Sequence, residues 1–253
     1  MMQSKLFYVY DIENQAVQEA YAMLTANLSI GSPNKVFKTF VLTSCNPNEG
    51  KTSIAISLAI SVAQAGWKVL LVDADMRKPT GAKRMNQGTF FGLSDYLLGN
   101  VDLSDALCET NVANFTYLSC GNGHPNPMAL LCSNNFEILI SNVKSEYDMV
   151  LFDTPALTSV VDGALVAAKA DGTLLVVKTG ATTLISLKRV KEQIERLNAN
   201  ILGVVLNRVK KRDYKSYFKA YNYFYNSERF LNNPKVLNIY PPTGVNSSSS
   251  RQL

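Results

Sequence analysis

Three short polar segments, each directly after an apolar run, hold the residues best suited to chemistry in this chain. They are centred on Gly50-Lys51-Thr52, on Asp73-Ala74-Asp75 and on Asp153-Thr154-Pro155. Polar residues that follow buried strands in this way are typical of the carboxyl edge of a parallel α/β sheet, where ligands bind. Glycine, lysine, hydroxyl and carboxylate groups in this order indicate chemistry at the terminal phosphate of a nucleotide.

The first segment is a variant of the phosphate-binding loop G-x-x-x-x-G-K-[ST], with Cys45 in place of the first glycine. Gly50 lets the backbone approach the phosphates because no Cβ blocks it. Lys51 is expected to reach the β- and γ-phosphates, and Thr52 to coordinate Mg²⁺. Backbone N–H groups of the loop and of the helix that follows would cradle the same anion. The residues predicted to bind nucleotide here are Asn48, Glu49, Gly50, Lys51, Thr52 and Ser53.

The second segment ends an apolar triplet with two carboxylates, Asp73 and Asp75, followed by Arg77. A strand that continued through both aspartates would point them to one face, because they are two residues apart. Two carboxylates near Mg²⁺ and ATP can hold the water shell of the metal and accept a proton from an attacking hydroxyl. Arg77 is expected to bind a phosphate or a neighbouring carboxylate.

The third segment ends a strand at Asp153, where a P-loop enzyme holds Mg²⁺ through a carboxylate. Thr154-Pro155 then predicts a turn. Asn207 is expected to end the last strand at the same edge of the sheet. Its amide is suited either to read adenine through paired hydrogen bonds or only to terminate the strand, and the sequence leaves both open.

Apolar periodicity predicts alternating strands and helices around these segments. Strands are expected near 36–42, 69–72, 115–118, 149–152, 173–177 and 201–206. Helices are expected near 14–29, 52–65, 93–98, 134–145, 160–170 and 183–197. Residues 1–13 are expected to be irregular, and residues 77–92 to form a long loop. This alternation predicts an α/β fold with a doubly wound, mostly parallel sheet of the P-loop NTPase type.

The composition suits one α/β domain with a short tail, because the chain has 253 residues, of which 47% are apolar. We predict an N-terminal segment and helix over 1–35, a nucleotide-binding domain over 36–209 and a basic tail over 210–253. The four cysteines lack the C-x-x-C spacing of a metal site or disulfide framework, which favours a reducing, intracellular compartment. No signal-peptide pattern follows Met1, and the run Ile54 to Ala65 is too short to span a bilayer. We therefore expect a cytoplasmic protein, or one that another molecule holds at a membrane.

The tail after Asn207 combines basic residues with a cluster of tyrosines. The basic residues are Lys210, Lys211, Arg212, Lys215 and Lys219. The tyrosines are Tyr214, Tyr217, Tyr221, Tyr223 and Tyr225. Beyond Asn232 the composition turns to Asn, Pro and Ser, which predicts disorder.

These residues together resemble the bacterial tyrosine kinases (BY-kinases) of capsule and exopolysaccharide synthesis. The resemblance covers about residues 14–225 and rests on shared segments and on the tyrosine-rich C-terminus. The segments are Asp73-x-Asp75-x-Arg77, Asp153-Thr154-Pro155, Gly92 to Gly99, the Asn126-Pro127 loop and Gly203 to Asn207. The chain is most similar to the form without a transmembrane part, in which a separate membrane protein supplies an activating cytoplasmic segment.

The resemblance implies a protein-tyrosine kinase over 36–209 that uses ATP and Mg²⁺. Lys51 and Thr52 would bind ATP·Mg²⁺, Asp73 would act as the base toward a tyrosine hydroxyl, and Asp75 and Asp153 would order the metal. The tyrosines of the tail would be phosphorylated in trans by a neighbouring subunit of a homo-oligomer. The added negative charge would then eject the basic tail and loosen the assembly. The resemblance also implies a membrane-bound polysaccharide co-polymerase as activator, recruitment to the inner face of the cell membrane and an opposing tyrosine phosphatase.

One departure from the family concerns the first helix, which usually carries Glu-x-x-Arg-x-x-Arg and pairs subunits in a ring. Here Glu19 is present, but Ala22 and Thr25 stand at the two arginine positions. Those arginine contacts cannot form, so ring assembly through this helix is expected to be weaker, differently built or dependent on the membrane partner.

Other functions remain open at this point. An ATPase switch of the chromosome-partitioning or division-site type shares the sheet, but it carries a second lysine where this chain has Asn46. A non-catalytic regulator would bind ATP and control polysaccharide assembly with the tail as a docking peptide. Nucleic-acid binding is not expected, because the basic patch of the tail is short.

Overall fold

The computed structural model describes residues 6–30, 36–77 and 91–210. Within these ranges the strands are β1 (Leu6–Phe7), β2 (Thr39–Ser44), β3 (Val69–Asp73), β4 (Leu107–Thr110), β5 (Phe115–Leu118), β6 (Met149–Asp153), β7 (Gly172–Lys178) and β8 (Ile201–Asn207). The helices are α1 (Gln15–Ile30), α2 (Lys51–Gln64), α3 (Leu93–Leu97), α4 (Leu103–Ala106), α5 (Pro127–Leu131), α6 (Asn134–Glu146), α7 (Asp162–Lys169) and α8 (Leu184–Glu195).

The strands form one eight-stranded sheet in the order β1-β4-β5-β3-β6-β2-β7-β8. All neighbouring pairs are parallel except β4 and β5, which are antiparallel. The predicted α/β fold with a mostly parallel sheet is therefore confirmed. The order places β3, β6 and β2 side by side in the middle, so the strands that precede the three polar segments are adjacent.

Alternation along the central strands divides the core into two layers, one on each face of the sheet. In β2, Val41 packs into the layer that is covered by helices α3 to α8, whereas Phe40 and Leu42 pack into the layer covered by α1 and α2. All three side chains are fully buried. Because both faces are covered, the central strands read as continuous apolar runs, as expected for a parallel sheet.

The N-terminal part of the chain is anchored on α2. The Tyr10 hydroxyl donates to the Ser53 carbonyl at 3.1 Å and lies 2.8 Å from Ser57 Oγ. Thr25 in α1 is buried, and its hydroxyl donates to Ser61 Oγ. Thr25, which stands at one of the two arginine positions of the family motif, thus lies in the contact between α1 and α2.

Some element boundaries differ from those predicted. The first predicted strand begins at Thr39 instead of 36, and Val36 is 81% exposed. In α8, Leu184 is 76% exposed, and the helix packs through Val190 and Ile194. Strands β1 and β4 were not predicted, because β1 has two residues and β4 is half-exposed.

No helix among the described residues is both long and apolar enough to cross a bilayer. The tail tyrosines, predicted as phosphorylation sites, lie outside the described residues: Tyr214, Tyr217, Tyr221, Tyr223 and Tyr225. Most of the predicted loop over 77–92 also lies outside them. The division into 1–35, 36–209 and 210–253 stays a prediction.

Candidate active site

The three polar segments meet at the carboxyl edge of the sheet. Asp73 at the end of β3 is the register partner of Asp153 at the end of β6, and Asp153 is in turn the partner of Leu42 in β2. The loop over 45–50 continues from β2 at the same edge. Residues that are far apart in sequence are therefore gathered next to the start of α2, as parallel strand ends require.

The loop between β2 and α2 uses left-handed backbone at two positions, Asn48 with φ 62° and Gly50 with φ 98°. Cys45, at the position of the usual first glycine, has no such requirement and is fully buried. Burial and the nearby Glu49 carboxylate raise the pKa of the Cys45 thiol to about 11, so the thiol stays protonated. The backbone conformation of this loop therefore does not require a glycine at position 45.

Glu49 holds this loop together from the inside. The residue is buried, and its carboxylate accepts hydrogen bonds from the Asn46 backbone at 3.0 Å and the Asn46 side chain at 3.3 Å. It also accepts from the hydroxyl of Thr182, which lies between β7 and α8. Asn46, where the division-site ATPases carry their second lysine, is thus bound to the loop itself. The sequence reasoning missed Thr182, although its position after a strand at the same edge was a usable signal.

Asn207, at the end of β8, supports the loop from the other side. Its side-chain Nδ2 donates to the Glu49 carbonyl at 2.8 Å, and its Oδ1 accepts from the Arg208 backbone. A Cβ on Gly50 would lie 2.0 Å from Asn207 Nδ2, so the contact depends on glycine. The observed contact of Asn207 is with the loop, and adenine recognition by this residue stays a prediction.

Helix α2 begins at Lys51, directly after Gly50. Its first internal hydrogen bond runs from Ile54 N to the Gly50 carbonyl, so the N–H groups of residues 51–53 precede the helical ladder. Lys51 is half-buried, whereas Thr52 and Ser53 are exposed. A helix start with leading N–H groups, a lysine and a hydroxyl matches the requirements of a phosphate anion.

Two carboxylates share the buried strand ends. Asp73 and Asp153 are each 4% exposed, and Asp153 Oδ1 has no hydrogen-bond partner. Burial and repulsion from Asp153 raise the pKa of Asp73 to about 8. Burial also raises the pKa of Asp153 to about 6, although the Thr52 hydroxyl and the Lys51 ammonium oppose the shift. Like charges in a buried site favour the protonated form, or the binding of a cation.

Asp75 is placed differently from the strand-based expectation. Strand β3 ends at Asp73, so the two aspartates are not related by strand alternation. Instead the backbone N–H of Asp75 donates to Asp73 Oδ1 at 3.0 Å. Asp75 is half-buried beside the pair, and its carboxylate contributes to the raised pKa of Asp153.

Tyr117 in β5 is a further neighbour of Asp73 that the sequence reasoning missed. Its hydroxyl donates to Asp73 Oδ2 at 3.3 Å, and the residue is 3% exposed. The only signal in the sequence was a tyrosine within an otherwise short apolar strand.

Arg77 binds a carboxylate, one of its two predicted partners. Its Nε and Nη2 donate to the two oxygens of Asp162 at 2.7 and 3.0 Å. The Asp162 side chain is 1% exposed, whereas that of Arg77 is 39% exposed. The pair fastens the segment after Asp75 to the first turn of α7.

The donor set fits a nucleotide-bound Mg²⁺. Among the described residues, no group of three or more His, Cys, Asp or Glu side chains is arranged to hold a metal ion alone. Mg²⁺ characteristically takes one or two carboxylates and completes its shell with water and substrate phosphates. The partnerless Asp153 Oδ1, with Asp75 and the Thr52 hydroxyl nearby, supplies ligands of that kind.

Comparison with known proteins identifies the family of the chain. A family model described as an AAA domain matches residues 48–203. Tyrosine-protein kinase CpsD of Streptococcus agalactiae is 38% identical over 76% of this chain and 83% of its own length.

Solved structures point the same way. The kinase domain of the Escherichia coli tyrosine kinase ETK superposes with a TM-score of 0.73 at 30% identity, covering 77% of this chain and 76% of that one. The septum site-determining protein MinD of Pyrococcus horikoshii OT3, complexed with Mg-ADP, has a TM-score of 0.58 at 24% identity over 70% and 73% of the two chains, and shares the fold alone. The chain therefore belongs to the family of bacterial tyrosine kinases, the BY-kinases.

Proposed function

We propose that this kinase uses ATP and Mg²⁺ to phosphorylate its own C-terminal tyrosines in trans. The observation that carries the proposal is the pairing of Asp73 and Asp153 at the strand ends beside the start of α2. This arrangement joins an anion site to buried carboxylates, and the tyrosine cluster of the same chain supplies acceptors.

The residues divide the work as follows. The backbone of residues 48–53 and the Lys51 ammonium bind the phosphates of ATP. Asp73 accepts the proton of the acceptor tyrosine as its oxygen forms a bond to the γ-phosphorus. The bond between the γ-phosphorus and the β–γ bridging oxygen breaks, and ADP leaves. Thr52, Asp75 and Asp153 would hold Mg²⁺, which neutralises developing charge when it is bound.

Positioning and charge neutralisation are sufficient for this chemistry, because phosphoryl transfer needs little covalent help from the protein. Arg77 supports the site through its two hydrogen bonds to Asp162. Asn207 and Glu49 stabilise the conformation of the loop. The predicted role of Asn207 in adenine recognition is a separate proposal.

At the cellular level, the proposal includes control of capsular or exopolysaccharide polymerisation and export. A membrane-bound co-polymerase would recruit the kinase to the inner face of the membrane and activate it, and a tyrosine phosphatase would reverse the reaction. Homo-oligomers would form for transfer in trans. Because Thr25 is turned into the contact with α2, we propose that oligomer formation depends on surfaces other than the arginine motif of α1.

Phosphosite mapping by mass spectrometry tests the proposal. The full chain is incubated with ATP and Mg²⁺, with and without the cytoplasmic segment of the membrane partner. Phosphotyrosine at residues 214–225 is expected in the wild type and not in Lys51→Met. Lys188→Met, which removes an exposed lysine of α8, is the matched control and should keep the modification.

Transfer in trans is tested by mixing two variants. An isotopically labelled Lys51→Met chain with an intact tail should gain phosphate from an active chain in which the five clustered tyrosines of residues 214–225 are Phe. ATP hydrolysis without phosphotyrosine, even with a partner shown to bind, would overturn the proposal in favour of an ATPase switch. Nucleotide binding without hydrolysis or phosphotyrosine would favour a non-catalytic regulator.

A further inference from the structure

Tyr117 reaches Asp73 from the neighbouring strand. Tyr117 in β5 is the register partner of Leu71 in β3, which lies two residues before Asp73. Residues two apart on a strand share a face, so Tyr117, Leu71 and Asp73 lie on the same side of the sheet. The tyrosine side chain extends along that face and places its hydroxyl 3.3 Å from Asp73 Oδ2.

Phe7 holds the ring of Tyr117 in place. The two rings are stacked with centroids 3.8 Å apart and an angle of 18° between their planes. Phe7 is 1% exposed and belongs to β1, which pairs with β4 beside β5. A stacked, buried ring has few alternative rotamers, so the contact with Phe7 restrains the ring of Tyr117 and keeps its hydroxyl next to Asp73.

Asp73 thereby has a donor on each carboxylate oxygen, and the Cys120 thiol is a further hydrogen-bonding neighbour of this carboxylate. The Asp75 backbone donates to Oδ1 and the Tyr117 hydroxyl donates to Oδ2. Burial and the Asp73 carboxylate raise the pKa of Tyr117 well above its usual range, so the hydroxyl keeps its proton and remains a donor. The terminal torsion of an aspartate is broad and soft, and two donors on its two oxygens fix the carboxylate plane.

We propose that Tyr117 is a positioning residue that fixes the Asp73 carboxylate for proton transfer from the acceptor tyrosine. The inference rests on the proposed function, in which Asp73 takes that proton. In this role Tyr117, which is 3% exposed, acts through Asp73 and exchanges no proton with the substrate. The two oxygens of a carboxylate offer about four lone-pair sites in all, so these three donors leave acceptor capacity for the substrate hydroxyl.

Steady-state kinetics of the full-length chain with Tyr117→Phe tests this role. The ring and its stacking on Phe7 are kept, and only the hydroxyl is lost. We expect kcat to fall about tenfold, because a loosely held base loses part of its orientational advantage. The KM for ATP and the affinity for Mg–ADP should stay within twofold of the wild-type values, because no phosphate contact changes.

Tyr147→Phe is the matched control. Tyr147 is a buried tyrosine, and its hydroxyl is hydrogen-bonded to Thr116, the neighbour of Tyr117 in β5. Tyr147 lies just before β6, at the opposite end of β6 from Asp153. The variant should lower the melting temperature as much as Tyr117→Phe does, but it should leave kcat unchanged. Equal losses of kcat in the two variants would show a merely structural role and overturn the inference.

A double substitution separates this inference from the proposed function. In an Asp73→Asn background, Tyr117→Phe should cause no further fall in the residual kcat, because the group that it positions is already gone. A further tenfold fall in that background would overturn the inference, as would a wild-type kcat in the single variant. A wild-type chain without phosphotyrosine would instead overturn the proposed function, and the inference with it.

Discussion

Asp73 and Asp153 stand opposite each other at the ends of two adjacent parallel strands, β3 and β6, and both are buried. Folding thus places two like charges together in a region of low dielectric, which raises the pKa of both carboxyls. This unfavourable burial of charge occurs at the edge of the sheet where the loop between β2 and α2 begins. Two consequences of removing one charge can be measured.

Asp153→Asn should stabilise the nucleotide-free protein and abolish its response to the metal. At pH 8, above the Asp153 pKa of about 6, the substitution removes an unfavourable buried charge. We expect the melting temperature to rise by about 2–4 °C, the shift that about 1 kcal/mol produces in a domain of this size. The Mg²⁺-dependent part of the stabilisation by ADP should be lost, as measured by thermal unfolding with and without Mg²⁺.

The control for this variant is Asp148→Asn, which changes an exposed aspartate just before β6. It should leave the Mg²⁺-dependent shift intact. If Asp153→Asn lowered the melting temperature of the nucleotide-free protein, the Thr52 hydroxyl and the Lys51 ammonium would outweigh burial and the repulsion from Asp75, contrary to the raised pKa of Asp153.

Gly50→Ala should weaken nucleotide binding through two effects. A side chain at φ 98° costs about 1–2 kcal/mol. The new Cβ would also lie 2.0 Å from Asn207 Nδ2, which must move and give up its hydrogen bond to Glu49. Calorimetry should show at least a tenfold loss of Mg–ADP affinity, because each 1.4 kcal/mol is a factor of ten.

Asn207→Ala tests how much of the lost Mg–ADP affinity comes from the clash between the new Cβ at position 50 and the Asn207 side chain. Combined with Gly50→Ala it removes the obstructing amide, so the double variant should bind better than the sum of the single losses implies. Gly66→Ala is the matched control, since it has φ 89° with no atom within 4 Å of the added Cβ. It should cost stability but not nucleotide affinity. Strictly additive losses would mean that Asn207 does not restrict the loop.

Sequence reasoning predicted the strand ends that carry the candidate site but not the residues that support them. The strand ends that carry Asp73 and Asp153 were predictable, because apolar runs of that length followed by polar residues define parallel strands and their edge. The helix after Gly50 was predictable from its glycine and its apolar repeat. By contrast, Thr182 lies in the connection after β7 and Tyr117 lies in β5, so both reach the site from later parts of the chain and their contacts depend on the strand order.

Strands β1 and β4, at one side of the sheet, were missed for a physical reason. Residues of β4 are partly exposed and include Glu109 and Thr110, so they lack the apolar alternation that marks a half-buried strand. Strand β1 has only two residues, Leu6 and Phe7, and exists through its pairing with β4. Pairing between segments about a hundred residues apart has no local pattern, and periodicity cannot reveal it.

Asp171 should make folding stability fall at acid pH. Burial raises the pKa of this carboxyl, but the hydrogen bonds that it accepts outweigh burial and lower the pKa to about 2. The donors are the Lys144 ammonium, the backbone N–H groups of Lys38 and Thr39 and the Thr39 hydroxyl. The unfolded value is near 3.9. The folded state therefore binds fewer protons, and the contribution is fully present above about pH 4 and is lost as the pH falls through 2.

Urea unfolding at several pH values measures this contribution. Asp171→Asn should lower the free energy of unfolding at pH 7 by about 1–2 kcal/mol, a value reduced by solvent screening around the partly exposed Lys144. The deficit should shrink toward pH 2. Lys144→Met should show a smaller loss of the same sign, whereas Lys191→Met, which breaks an exposed ion pair with Glu195, should cost less than about 0.5 kcal/mol. A deficit that is constant with pH would refute the linkage.

Arg77→Ala should destabilise the fold, because it leaves the carboxylate of Asp162 buried and without its cation. We expect a loss of about 2 kcal/mol, below the usual range for a buried pair because the Arg77 side chain is 39% exposed. The double variant with Asp162→Asn should recover part of this loss, since the uncompensated charge is then removed. Arg77→Lys should fall between, because one ammonium cannot reproduce two parallel hydrogen bonds.

The same variants decide between the two partners that the sequence allowed for Arg77. If the arginine acts through Asp162, Arg77→Ala should lose stability even without nucleotide. The KM for ATP should then rise only through an indirect effect, a displacement of Asp75. If instead Arg77→Ala kept the wild-type stability but lost ATP affinity, and Asp162→Asn did neither, the guanidinium would bind phosphate in the working enzyme. Urea unfolding and ATP titration of the three variants separate these cases, because the ion pair predicts coupled losses for Arg77 and Asp162 whereas phosphate binding predicts a loss for Arg77 alone.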